Sequence, residues 1–149
     1  MAMRYFEDVN VGDTFASRSA FLVTAEEIKN FAGKWDPQRY HLDEKEAERV
    51  VGRLFAPLML TLSISIKLVH DTGFFEIQPV AGLGMEDVRL PKPVFVDDEL
   101  KVRVTVVAKR DSKSKPDLGL LSQKTELFNQ HGDLVVSYVV PSLVYRRPV

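Results

Sequence analysis

Cysteine is absent from all 149 residues, which excludes disulfides, thiolate metal sites and cysteine nucleophiles at once. Net charge is nearly absent too. Twenty Lys and Arg against 21 Asp and Glu leave a formal charge of −1, too little for a protein that binds nucleic acid by neutralising phosphates. No apolar run approaches the ~20 residues that a membrane-spanning helix needs. The opening Met-Ala-Met-Arg-Tyr-Phe-Glu-Asp lacks the apolar core of a signal peptide, so a soluble cytoplasmic protein is expected. Internal repeats, low-complexity tracts and linkers are missing as well. The length suits one domain, residues 1–149, with enough chain to bury a sizeable core.

Against these absences, the segment Asp36-Pro-Gln-Arg-Tyr-His41 stands out. Pro37 disfavours helical backbone at Asp36, so an irregular loop is expected there rather than regular helix. Such a loop can turn an Asp and a His five residues on toward one point. A neutral imidazole beside a carboxylate suits acid/base chemistry near neutral pH. The residues alone leave a second reading open, in which Asp36 caps a helix beginning near Leu42 and His41 lies at the surface.

The chain changes character near its middle. Thr24-Ala-Glu-Glu27 reads as a capping box and predicts a helix to about Gly33. Leu42–Val50 reads as a short, charged, mostly solvated helix. After Gly73 the chain reads as strands, at Val80–Leu90, Leu100–Lys109, Leu120–Asn129 and Leu134–Tyr145. Lys101-Val-Arg-Val-Thr-Val106 alternates cleanly, which predicts one buried and one wet face. Asn129-Gln-His-Gly132-Asp predicts the turn of a final hairpin, with His131 as a turn residue.

Ala56–His70 is ambiguous. From Leu58 to Leu68 it alternates with period two, as a strand does. Pro57, well placed at a first helical position, and the length of the segment favour a helix instead. Such a helix would be apolar nearly all round and buried, with Thr61, Ser63 and Ser65 small enough for close packing and able to bond the i−4 carbonyls. A buried helix wrapped by long antiparallel strands, an α+β arrangement, is one solution. His70 would lie near the helix end, where a cation is favoured by the dipole.

Nearly the whole chain resembles the MaoC-like acyl dehydratases, a hot-dog-fold family that includes R-specific enoyl-CoA hydratases. Phe6-Glu-Asp-Val-Asn-Val-Gly-Asp13 resembles the family's opening, and Phe31-Ala-Gly-Lys-Trp-Asp-Pro-Gln-Arg-Tyr-His-Leu-Asp43 its hydratase motif. Gly52-Arg-Leu-Phe-Ala-Pro-Leu-Met59 sits where the family enters its central helix. Ser112-Lys-Ser-Lys-Pro-Asp-Leu-Gly119 and Phe128-Asn-Gln-His-Gly132 resemble its late hairpin segments. The resemblance implies a single hot-dog domain, with a long antiparallel sheet around a central helix at Ala56–His70.

It also implies that Asp36 and His41 are the catalytic pair, holding a water that adds to C3 of a 2-enoyl thioester. Negative charge then develops on the thioester oxygen, and backbone N–H groups at a helix start are suitable donors for it. Those donors are expected at Leu58 and Met59. Many family members have glycine where this chain has Leu58, and the preceding Pro57 has no N–H, so the approach to this backbone is narrower here. A basic cluster, Arg110, Lys113 and Lys115, is a candidate grip for the phosphates of CoA and otherwise a solvated loop. A metal at His41 and Asp43 would need further spaced ligands. No metal and no cofactor is expected.

The expected function is therefore a hydratase or dehydratase of a CoA- or carrier-linked acyl thioester. The alternatives are a non-catalytic hot-dog subunit that binds an acyl group or a partner chain, and an acyl-CoA thioesterase. A homodimer, or an even-numbered oligomer built from it, is expected, because a single sheet covers an all-apolar helix on one side only.

Overall fold

The computed structural model describes residues 3–149. After a 3₁₀ turn at Phe6–Asp8 come two short strands, β1 (Thr14–Ala16) and β2 (Phe21–Leu22). Four helices follow: α1 (Ala25–Trp35), α2 (Arg39–Leu42), α3 (Glu44–Val51) and α4 (Leu58–Asp71). A second 3₁₀ turn, Phe74–Ile77, leads into β3 (Pro79–Gly82), β4 (Glu86–Arg89), β5 (Glu99–Asp111), β6 (Leu118–Phe128) and β7 (Leu134–Tyr145). The strands form one antiparallel sheet ordered β1-β5-β6-β7-β3, with β2 pairing to β5 and β4 to β7. The sheet curls around α4, giving the hot-dog α+β arrangement.

The alternation expected in β5 is present: Leu100, Val102, Val104 and Val106 are buried while Lys101 and Arg103 are exposed. Period two puts all four valine and leucine side chains on the face toward α4. The final hairpin also forms as predicted. Gly132 N–H donates to Asn129 O, and Asn129 Oδ1 accepts from His131 N–H and Asp133 N–H. Gly132 sits at φ 78°, a left-handed conformation that glycine adopts at no steric cost.

Several boundaries move. The strand predicted over Val80–Leu90 is two short strands, interrupted at Leu83–Met85 where Gly84 has φ 138°. Both halves still pair with β7, across shifted registers. Helix α1 begins as predicted, with Thr24 Oγ1 accepting from Glu27 N–H at 3.1 Å, but runs to Trp35 rather than Gly33. The charged helix starts at Glu44, because Asp43 caps it by accepting from Lys45 N–H and Glu46 N–H. Strands β1 and β2 are too short to show alternation and carry no strand signal of their own.

The ambiguous segment is helical. Pro57 stands one position earlier than expected, as the N-cap with ψ 149°, and Leu58 is the first helical residue. Thr61 and Ser63 hydroxyls donate to the i−4 carbonyls of Pro57 and Met59, while Ser65 donates to Leu62 O, three residues back. The burial is one-sided. Leu60, Leu62, Ile64, Leu68 and Val69 are buried, whereas Leu58, Met59 and Ile66 are exposed along an outer face.

Candidate active site

Asp36 ends α1. Its backbone N–H still donates to Ala32 O, but φ −152° and ψ 73° take the chain out of helix, as Pro37 requires of the residue before it. The chain turns back through Gln38, whose N–H donates to Asp36 O and whose amide donates to Asp36 Oδ1 at 2.9 Å. His41 then falls on α2, a single helical turn within a segment expected to be irregular. The turn is closed by His41 N–H donating to Gln38 O and Asp43 N–H to Arg39 O, and a turn this short is set by its flanks.

Neither part of the surface reading holds: His41 is only 5% exposed, and the cap of the following helix is Asp43 rather than Asp36. The imidazole packs edge-on against Phe55, with ring centroids 4.6 Å apart. Its Nδ1 lies 2.8 Å from Phe55 O. A carbonyl oxygen only accepts, so Nδ1 carries the proton and donates it there, which leaves Nε2 of the neutral ring with its lone pair. That lone pair faces Asp36, whose Oδ2 is 3.9 Å from Nε2. The distance is too long for a direct hydrogen bond and suits two groups converging on one small molecule. Asp36 is the more open of the two, its side chain 37% exposed against 6% for His41.

Phe55 O is held in turn by the strand-like run 54–56. Phe55 bridges to Phe95, Ala56 N–H donates to Val94 O, and Val96 N–H donates to Leu54 O. Asp98 braces that partner run. It is buried to 3% exposure, accepting Phe95 N–H at 2.9 Å and the Gln130 amide at 3.0 Å. Neither Phe55 nor Asp98 was singled out from sequence. Phe55 acts through its backbone, which no side-chain pattern reveals. The Asp97-Asp98 pair inside the apolar run 94–100 was a readable signal of a structural carboxylate.

Three residues beyond Phe55, α4 begins. The N–H groups of Leu58 and Met59 lie in its first turn and have no intrahelical acceptor; the first helical closure is Thr61 N–H to Pro57 O. The side chains of Leu58 and Met59 are 39% and 61% exposed. Phe55 thus joins His41, through its carbonyl, to the start of α4 three residues on. Arg110, Lys113 and Lys115 do not join them. Arg110 is exposed near the end of β5 and Lys113 and Lys115 in the turn that follows, so at least the eleven residues 99–109, about 36 Å of extended chain, separate them from Phe95–Asp98. His70 is exposed in the last turn of α4 against Phe75, and His131 is exposed in the last hairpin. Among the described residues no cluster of three or more His, Asp or Glu could hold a metal, and no helix is long and apolar enough to cross a membrane.

Residues 6–126 match the family described as MaoC like domain. The uncharacterized protein YdeM of Bacillus subtilis is 35% identical over 127 residues, covering 83% of this chain and 86% of that one. Mesaconyl-CoA hydratase of Cereibacter sphaeroides is 29% identical over 147 residues, 98% of this chain but only 42% of that protein. The crystal structure of the MaoC-like dehydratase from Rhodospirillum rubrum superposes with a TM-score of 0.88 at 36% identity, covering 98% of this chain and 99% of that one. Hot-dog architecture, the hydratase motif at residues 31–43 and these likenesses converge on one conclusion: the chain belongs to the MaoC-like dehydratase family.

Proposed function

We propose that this protein hydrates a trans-2-enoyl thioester, linked to CoA or to an acyl carrier protein, and catalyses the reverse dehydration. The observation that carries this reading is the proton placement on His41: Nδ1–H is committed to Phe55 O, so Nε2 is a free base aimed toward Asp36. Water is a poor nucleophile and must lose a proton as its oxygen bonds C3. Nε2 takes that proton while Asp36 Oδ2 orients the water. The electrons of the C2–C3 double bond move toward the thioester oxygen, where the N–H groups of Leu58 and Met59 meet the developing charge. The proton held on the imidazole then passes to C2, so both fragments of water are accounted for.

The proposal includes a homodimer. Exposed Met59 and Ile66 on α4, with exposed Val80 and Val88 on β3 and β4 and Leu83, Met85 and Leu90 between and just beyond them, present more apolar surface than a monomer ordinarily leaves open. An edge-to-edge pairing of two sheets would cover it. A contact of Arg110, Lys113 and Lys115 with CoA phosphates belongs to this reading only as a contribution from the second copy, given their distance along β5 from Phe95–Asp98. Sedimentation at micromolar concentration is expected to give a dimer, and a monomer would remove that part.

The activity is tested by following crotonyl-CoA and longer enoyl-CoAs spectrophotometrically, with chiral analysis of product. Accumulation of one 3-hydroxyacyl enantiomer is the expected result. Release of free CoA would instead identify a thioesterase, and saturable binding without turnover a non-catalytic acyl-binding subunit.

A further inference from the structure

The inner face of β6 and β7 is apolar except at four neighbouring positions. The register pairs Leu121 with Ser142, Gln123 with Val140 and Thr125 with Tyr138, which brings Gln123, Thr125, Tyr138 and Ser142 together beneath α4. All four are buried, at 4%, 0%, 2% and 4% exposure. Only Tyr138 has a side-chain partner of normal geometry. Its hydroxyl lies 2.7 Å from Ser65 Oγ. Ser65 commits its one proton to Leu62 O at 2.6 Å, so Tyr138 is the donor and keeps its acceptor capacity. Among the described residues Thr125 Oγ1 has no hydrogen bond of standard geometry, its nearest polar neighbour being the Tyr138 hydroxyl. Among the described residues, the Gln123 amide and the Ser142 hydroxyl make no hydrogen bond to the protein either.

Buried polar groups are ordinarily paired, and the polar ends of Gln123 and Ser142, without protein partners, stay open toward the neighbouring cavity, where a ligand or water can pair them. Gln123, Tyr138 and Ser142 line a cavity of about 410 Å³, whose other walls include Ile66 and Val69 of α4 and the run Pro79–Gly82. That volume lies in the range of small-molecule sites. Its lining contains no Lys, Arg, Asp or Glu. Of α4, Ile66 and Val69 line the cavity, two turns and more beyond Leu58, with the buried Leu62 between. Leu58 to Ile66 is about 12 Å along the axis.

We propose that the cavity recognises an acyl chain bearing a neutral oxygen group, a hydroxyl or keto oxygen, several carbons beyond the reacting pair. The apolar walls take the methylenes. The Gln123 amide donates to and accepts from the oxygen group, with Ser142 and Tyr138 beside it. A distal carboxylate is disfavoured, since no cation lines the cavity to offset its desolvation. The assignment of the acyl end to this cavity rests on the hydratase reading; the chemistry of the floor does not.

The test compares octanoyl- and decanoyl-CoA with hydroxyacyl-CoAs of the same lengths carrying the hydroxyl at C6, C8 or C10, by calorimetry. At least one hydroxylated thioester is expected to bind the parent about tenfold or more tightly than its plain counterpart. Gln123→Leu, close in volume, should abolish that preference and Ser142→Ala should reduce it, with circular dichroism confirming the fold. Crotonyl-CoA is too short to reach the floor, so its hydration reports on Asp36 and His41 alone. Failure there removes the hydratase reading while the Kd ratios still decide this one. Equal Kd values across every matched pair in the parent, or a preference unchanged in Gln123→Leu, would overturn it and leave the floor to water.

Discussion

The first turn of α4 and its middle turns both meet polar groups, but under opposite conditions. At the first turn His41 and Asp36 have assigned partners. Phe55 O takes one imidazole proton and Gln38 holds one carboxylate oxygen, which leaves His41 Nε2 and Asp36 Oδ2 facing each other across 3.9 Å. Two turns along, Gln123 and Ser142 are buried without protein partners, and Tyr138 donates to Ser65 with acceptor capacity to spare. The contrast separates two uses of polarity. Chemistry needs groups whose protons are placed in advance by the fold, whereas recognition needs groups whose pairing is left for the ligand to complete.

The comparison is broken most severely by removing the placed groups. His41→Ala or Asp36→Asn is expected to lower kcat for enoyl-CoA hydration by about 10²–10⁴ with the fold intact, the usual range for a positioned acid or base. Parental turnover in both variants would dismiss the pair. Replacing Leu58 with its α-hydroxy analogue swaps N–H for an ester oxygen and keeps the side chain. Loss of such a donor should lower kcat by roughly 10²–10³, and an unaffected rate would move the carbonyl to Met59 or to a side chain.

A smaller effect is expected from the brace. Asp98→Ala deprives Phe95 N–H and the Gln130 amide of their acceptor, and should reduce stability by about 1–3 kcal/mol in denaturant titration. Because residues 94–96 hold the run that carries Phe55 O, kcat should also fall, by less than in His41→Ala. Stability loss without any change in kcat would confine Asp98 to scaffolding.

The smallest effect lies under the middle turns of α4. Burial pushes the Tyr138 phenol above its ordinary value of 10.0, with the Ser65 and Thr125 hydroxyls partly offsetting it. The folded state therefore favours the neutral phenol. Its contribution to stability is complete below pH 10 and is lost as pH rises from there through the raised value. Tyr138→Phe should remove that alkaline loss and cost about 0.5–1.5 kcal/mol at neutral pH through the Ser65 bond. An identical alkaline stability profile in both proteins would show that the phenol does not titrate as burial requires.

How much of this was legible varies with the range of the interaction. The exit from helix at Asp36 could be read because Pro37 acts locally, and the cap at Thr24 and the turn at Asn129–Gly132 are local as well. The pairing of Asp36 with His41 was left open by the residues and suggested only by the family resemblance. Leu58–Leu68 could not be resolved from its own pattern, since period two spoke for a strand while Pro57 and length spoke for a helix. The resemblance to the family assigned the helix, and packing beneath the sheet is what holds it. The break at Leu83–Met85 was missed because the run 80–90 has no turn signal beyond its glycines, and pairing with β7 decides where each half bonds.

Sequence by itself determined the excluded chemistries, the alternating face of β5 and the hairpin ending the sheet. Each follows from composition, from side-chain periodicity or from backbone preferences of a few adjacent residues. Tertiary structure alone decided which imidazole nitrogen is free, because the acceptor at Phe55 O lies fourteen residues away and is itself held by residues 94–96. It alone also gathered Gln123, Thr125, Tyr138 and Ser142 under one helix. Their proximity is set by the register of β6 against β7, a long-range pairing that no local pattern encodes.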